Sequence, residues 1–246
     1  MIRTVQGIIL HRREVTESSL ILTVFSDVAG KLDLLAKGAR RSTSRFLGHL
    51  ELFSLCSLTY YENLRRGINI LSECDVIDPL LHLRADFSAF MAACYFAELV
   101  GMGTGLASSA RTVFDLLKGA FSHLASLPDP SLLERYFELH LLSLLGYSLQ
   151  VSVCVCCRKK ERRPRFFSAR AGGMVCDDCR GRHPGAMPIS QGTLSTMRYL
   201  KARPIRSLPR VALTAQQSSE LEEILRRAIV FYLEREPRSL RTTSVP

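Results

Sequence analysis

Two cysteine knuckles, Cys154-Val155-Cys156-Cys157 and Cys176-Asp177-Asp178-Cys179, stand eighteen residues apart in the second half of the chain. Two C-x-x-C pairs at this separation match the spacing by which a short ribbon surrounds one tetrahedral Zn²⁺ with four thiolates. Cysteines as plain buried hydrophobes fit this pairing poorly. Disulfides would need an oxidising compartment. A thioredoxin-like redox site needs one C-x-x-C opening a helix in a βαβ setting, not an Arg-rich loop. Cys154, Cys157, Cys176 and Cys179 are therefore assigned as ligands. Cys156 is left as a spare thiol open to oxidation. A site closed by four sulfurs has no position for an activated water, so the metal is expected to hold structure and not to perform chemistry.

The charge distribution gives the ribbon a second meaning. The chain has 246 residues and a net charge of +10. Residues 151–210 carry fourteen basic and three acidic side chains, while residues 1–80 carry ten and nine. Part of the excess compensates four thiolates on one Zn²⁺. The remainder, including Arg158, Lys159, Lys160, Arg162, Arg163 and Arg165, points to a polyanionic partner such as nucleic acid, or to the seat of an acidic protein tail. No apolar run approaches the length of a membrane span. The segment Met1–Arg13 does not read as a secretory signal, and eight cysteines without one point to a reducing cytoplasm.

Residues 1–78 read as β structure. Thr4–Leu10, Ser19–Ser26 and Lys31–Ala36 are short runs of β-formers separated by turn residues; Leu50–Tyr61 alternates, and Gly67–Val76 makes a fifth strand. Five short strands in about eighty residues favour a small oligonucleotide-binding (OB) barrel. Between the third and fourth strands lies Lys37–Arg45, with Lys37, Arg40, Arg41 and Arg45 set among Ser, Thr and Gly and no acid. Such a segment can track a phosphate backbone. Arg12 and Arg13 after the first strand and Arg65 and Arg66 in a later turn are weaker candidates. Phe46, Tyr60 and Tyr61 could stack on bases, with core packing the expected role.

Pro79 marks a change to helical periodicity. Helices are expected over Asp86–Val100, Ser109–Leu127 and from Ser131, where Ser131-Leu-Leu-Glu134 reads as a capping box, to Leu145. After the ribbon, one helix opens at Ser190. A last one is capped by Thr214-Ala-Gln-Gln217, with Leu221, Ile224, Leu225, Ala228 and Phe231 on its core face. The whole reads as α+β: a barrel over residues 1–79 and a helical domain over 80–246 holding a ribbon at about 150–185. Gly101–Gly105 follows a helix rather than a strand, so it is no nucleotide loop. Neither a phosphate-binding loop, H-E-x-x-H, H-x-E nor a nucleophile elbow occurs. The six histidines are scattered. No catalytic constellation is recognisable, and the chain is expected not to be an enzyme.

Several segments taken together resemble the bacterial RecO family. These are Gly7–Arg13 with Thr16–Ser26, the distinctive block Gly30–Arg41, Leu142–Tyr147 ahead of the first knuckle, Phe167–Cys176 ahead of the second, and Phe231–Glu234 near the end. The resemblance implies an OB barrel followed by a helical domain with a zinc ribbon, here of a zinc-retaining branch. It implies a cytoplasmic, nucleoid-associated recombination mediator that binds single- and double-stranded DNA and anneals complementary strands. Such a protein works with RecR and engages the acidic tail of the single-stranded DNA-binding protein, so that RecA is loaded. Lys31, Lys37, Arg40, Arg41 and Arg45 would then contact phosphates. The alternative is a zinc-ribbon adaptor that binds an acidic protein and touches DNA only incidentally.

Overall fold

The computed structural model describes residues 1–62, 68–103, 109–124, 127, 129–160 and 166–239. The chain forms two compact units, Met1–Ala125 and Ser126–Pro246.

The first unit is built on a closed five-stranded barrel: β1 Ile2–Glu14, β2 Leu20–Ser26, β3 Gly30–Ala36, β4 Leu55–Tyr61 and β5 Asn69–Asp78. The strand order is β1-β2-β3-β5-β4, with β4 returning to β1 and β3 running parallel to β5. This is the OB arrangement. Closure depends on β1, whose first half pairs with β4 and whose second half pairs with β2. A bulge between Ile9 and His11 bends the strand from one partnership into the other. The interior is filled by Val5, Ile9, Leu22, Val24, Leu34, Leu58, Tyr60 and Leu71. Phe46 and Tyr60 belong to this core, whereas Tyr61 is half exposed.

The alternation read over Leu50–Tyr61 breaks at its start. Phe53 takes a left-handed backbone (φ 68°), so the strand begins only at Leu55. The Phe53 ring turns out of the barrel and meets Phe90 and Phe121 edge-on, at centroid distances of 5.5 and 5.3 Å. Those rings belong to α2 (Phe87–Met102) and α3 (Ala110–Leu124), which with the short α1 (His82–Ala85) complete the first unit. The helices are thus packed with the barrel although the strand pattern ends at Pro79. Asp86 caps α2 by accepting the Ala89 N–H at 2.7 Å.

The second unit contains α4 (Ser131–Leu144), the ribbon strands β6 (Phe166–Ser168), β7 (Gly173–Val175) and β8 (Met187–Pro188), and α5 (Asp177–Arg180). It ends with α6 (Gln191–Ala202), a 3-10 turn over Ile205–Arg210 and α7 (Ala215–Leu233). The capping box expected at Ser131–Glu134 does not form. Ser131 is already helical, its N–H and hydroxyl donate to the Asp129 carboxylate, and Glu134 pairs with Arg135. The Thr214/Gln217 box on α7 does form. The buried face of α7 ends at Ile229, so Phe231 lies at the surface, not in the core. Among the described residues no helix is long and apolar enough to cross a membrane.

Candidate metal centre and nucleic-acid face

The ribbon is a three-stranded sheet in the order β7-β6-β8, and the second knuckle runs into α5, with Cys176 at its N-cap and Cys179 within it. Its small core is made largely of the cysteines with Phe166 and Val175. The sulfurs of Cys154, Cys157, Cys176 and Cys179 all lie within 4.8 Å of one another, with 3.7 Å between those of Cys157 and Cys176. Four thiolates around a tetrahedral ion at ~2.3 Å would stand about 3.8 Å apart. These four side chains could therefore hold one metal ion.

Hydrogen-bond donors reach two of the four sulfurs. The Cys176 N–H donates to the Cys154 sulfur at 3.4 Å, and Arg182 Nη2 donates to that of Cys179 at 2.9 Å. Burial opposes ionisation of Cys154, but the backbone N–H groups of Cys157, Cys176 and Cys156 outweigh it and pull its pKa below the ordinary thiol range. Burial, followed by the Cys179 side chain, pushes Cys176 up. Cys156 packs against the same small core but is not one of the four converging sulfurs; its own meets His183 Nε2 at 2.9 Å. That local contact pairs the spare thiol with the one histidine of the ribbon. Arg158, Lys159 and Lys160 are exposed on the ribbon; Arg162, Arg163 and Arg165 lie outside the described residues.

The barrel candidates separate into three groups. Arg12, Arg13 and Arg40 line one cavity of about 300 Å³, together with Glu14 and Glu51. The acids partly answer the bases: Arg12 pairs with Glu51 at 3.1 Å and Arg40 with Glu14 at 3.0 Å. Lys37, Arg41 and Arg45 are exposed on the loop beside this cavity, and among the described residues none has a carboxylate within 4 Å.

The loop is fastened, not free. Arg40 N–H donates to the Ser18 carbonyl, Gly38 N–H to the Ser19 hydroxyl, and Ser44 N–H to the Arg41 carbonyl. Ala39 and Phe46 anchor it in the core, and Gly38 supplies a positive φ of 68° that few other residues adopt. Lys31 is not part of this face. It stands six positions before Lys37, about 20 Å along the strand direction, and its ammonium donates to the Gly101 carbonyl at 3.2 Å. Arg65 and Arg66 lie outside the described residues.

Comparison with known proteins agrees with this architecture. The family model Recombination protein O N terminal matches residues 1–80, and Recombination protein O C terminal matches residues 84–241. The chain is 30% identical over 236 residues to a DNA repair protein RecO of Dehalococcoides mccartyi strain 195, covering 96% of this chain and 92% of that one. It is 32% identical over 236 residues to the DNA repair protein RecO of Roseiflexus sp. RS-1, covering 96% and 82%. With that of Clostridium acetobutylicum it shares 27% over 236 residues, covering 96% and 94%. With both halves matched in order and most of each relative covered, the chain belongs to the RecO family of recombination and DNA repair proteins.

Proposed function

We propose that this protein is a non-enzymatic recombination mediator that holds DNA strands on the basic edge of its barrel and promotes their annealing. The observation that supports this most directly is the fastened loop presenting Lys37, Arg41 and Arg45 beside the cavity of Arg12, Arg13 and Arg40. Fixed donors and charges bind a phosphate backbone with little ordering cost, independent of base sequence. Both single- and double-stranded DNA are accepted on this reading, because phosphates and not base edges are read. Neutralising the phosphates of two complementary strands lowers their mutual repulsion, which is the physical basis of annealing.

The four-cysteine centre takes one structural Zn²⁺, which ties the two knuckles together and leaves no site for substrate. The exposed ribbon bases Arg158, Lys159 and Lys160 widen the electrostatic footprint. Family membership supports RecR, the tail of the single-stranded DNA-binding protein and, indirectly, RecA as partners in the cytoplasm, at the nucleoid. The experiment mixes complementary strands, each coated with single-stranded DNA-binding protein, and follows duplex formation with and without this protein. Acceleration without nucleotide is expected. Tight binding of the coating protein's tail with no acceleration would instead favour a zinc-ribbon adaptor.

A further inference from the structure

Arg198 and Lys201 lie three residues apart on α6 and therefore on one face. Both reach toward Ser148–Ser152, the segment that leads from α4 into the ribbon. Arg198 Nε donates to the Val151 carbonyl at 2.7 Å, while Lys201 Nζ donates to the Ser148 hydroxyl at 3.0 Å and to the Leu149 carbonyl. With Gln150, Ser152 and Ala202 these residues line a cavity of about 270 Å³. Among the described residues, neither cation has a carboxylate within 4 Å, and the terminal nitrogens of Arg198 make no hydrogen bond. Burial depresses the Lys201 pKa with no acid to offset it. Two half-buried cations held side by side by carbonyl oxygens, with a guanidinium fork left over, suit an anion with several oxygens, and a phosphate group fits best.

An aromatic shelf begins at the adjoining residue. Tyr147, 41% exposed, stacks on Tyr232 with centroids 4.5 Å apart and an interplanar angle of 17°. Phe231, 45% exposed, meets Tyr232 edge-on at 5.0 Å. Because Tyr147 and Ser148 are consecutive, ring and cavity are within one nucleotide's reach. A cationic groove beside exposed flat rings is the combination that holds single strands: phosphates on the bases of the protein, nucleobases on its rings.

We propose that the groove between α6 and Ser148–Ser152, with the Tyr147 and Phe231 shelf beside it, seats a second single strand of nucleic acid, its phosphate on Arg198 and Lys201. The proposal rests on the reading of the barrel as the seat of the first strand. It supplies what annealing requires, namely one strand on each unit of the same molecule.

The test uses the full zinc-loaded chain with oligo(dT) on beads and a labelled oligo(dT) in solution, two strands that cannot pair. Capture of the labelled strand reports bridging. Ala202 is exposed at the rim of the groove, so changing it removes none of the hydrogen bonds that hold the fold. Ala202→Asp is expected to lower capture about tenfold and Ala202→Lys to raise it, by adding or subtracting repulsion at one phosphate. Tyr147→Ala should lower it as well, while binding of the protein to the beads changes less than about twofold. Equal capture by wild type, Ala202→Asp and Ala202→Lys would overturn the second seat, as would bead binding with no capture by the wild type. Failure of the wild type to bind the beads at all would overturn the barrel reading itself.

Discussion

Removing the metal should open the ribbon and leave the barrel untouched. The ribbon has little else to hold it: three residue pairs join β6 to β7 and two join β6 to β8, over a core made chiefly of the ligands themselves. A tie from Cys157 to Cys176 closes a loop of 20 residues. Treated as a covalent cross-link, such a tie is worth about 3 kcal/mol of chain entropy, or roughly a 200-fold change in the opening equilibrium. Amide hydrogen exchange at Phe166–Ser168 and Gly173–Val175 should therefore speed up by about two orders of magnitude on chelation or in Cys154→Ser. Amides of Val24 and Leu58 in the barrel should keep their protection. Cys156→Ser should retain one Zn²⁺ per chain, because Cys156 is not among the four converging sulfurs and its own meets His183. Unchanged exchange in the ribbon, or equal loss of protection in both units, would refute the reasoning.

Three further expectations follow from other parts of the molecule. Glu14→Gln releases Arg40 from its ion pair, and strand affinity should rise by up to about fivefold, the worth of an exposed pair, in a fluorescence titration. Weaker binding would show that Glu14 positions the arginine instead of competing for it. A methyl group at Gly7 would stand 2.5 Å from Val24 Cγ1 and 2.9 Å from Leu58 Cδ1 inside the barrel. Gly7→Ala should accordingly cost about 1–3 kcal/mol in urea unfolding of the first unit. His140 presents a pH dependence: burial foremost, with Lys201 adding to it, holds its pKa below 6.5, and its Nε2 meets the Leu200 carbonyl at 3.0 Å. The fold favours the neutral ring, so this contribution is full above pH ~6.5 and is lost as pH falls through the depressed folded value. The drop in urea midpoint between pH 7.5 and pH 5.5 should be smaller in His140→Gln.

What could be read from the sequence was what is local. The knuckle spacing picks out the four converging sulfurs because ligand geometry is set within a few residues of each C-x-x-C. The five strands follow from apolar alternation and turn residues, and the Thr214/Gln217 cap from a four-residue pattern. Features set by distant packing were not legible. Phe53 reads as a strand residue, yet its ring is claimed by Phe90 and Phe121, which breaks the strand and joins two helices to the barrel. Ser131 and Glu134 have the spacing of a capping box, but Asp129 and Arg135 are closer partners. Lys31 joins the basic loop residues only through the family resemblance, and strand geometry sets it apart from them. Sequence also counts Arg12 and Arg40 at full charge, although Glu51 and Glu14 answer them across the barrel rim. The Arg198 and Lys201 groove joins residues about fifty positions apart, and no pattern in either segment announces it.

The central claim, that the fastened basic loop holds the phosphate backbone, is tested most directly by the salt dependence of single-strand affinity. Each phosphate contact contributes about 0.7 to the slope of log K against log salt. Replacing Lys37, Arg41 and Arg45 by Ala should flatten the slope by about 2 and weaken binding alike for every base sequence. An unchanged slope in a folded, zinc-loaded triple variant would contradict the account and move the DNA contact away from the barrel edge.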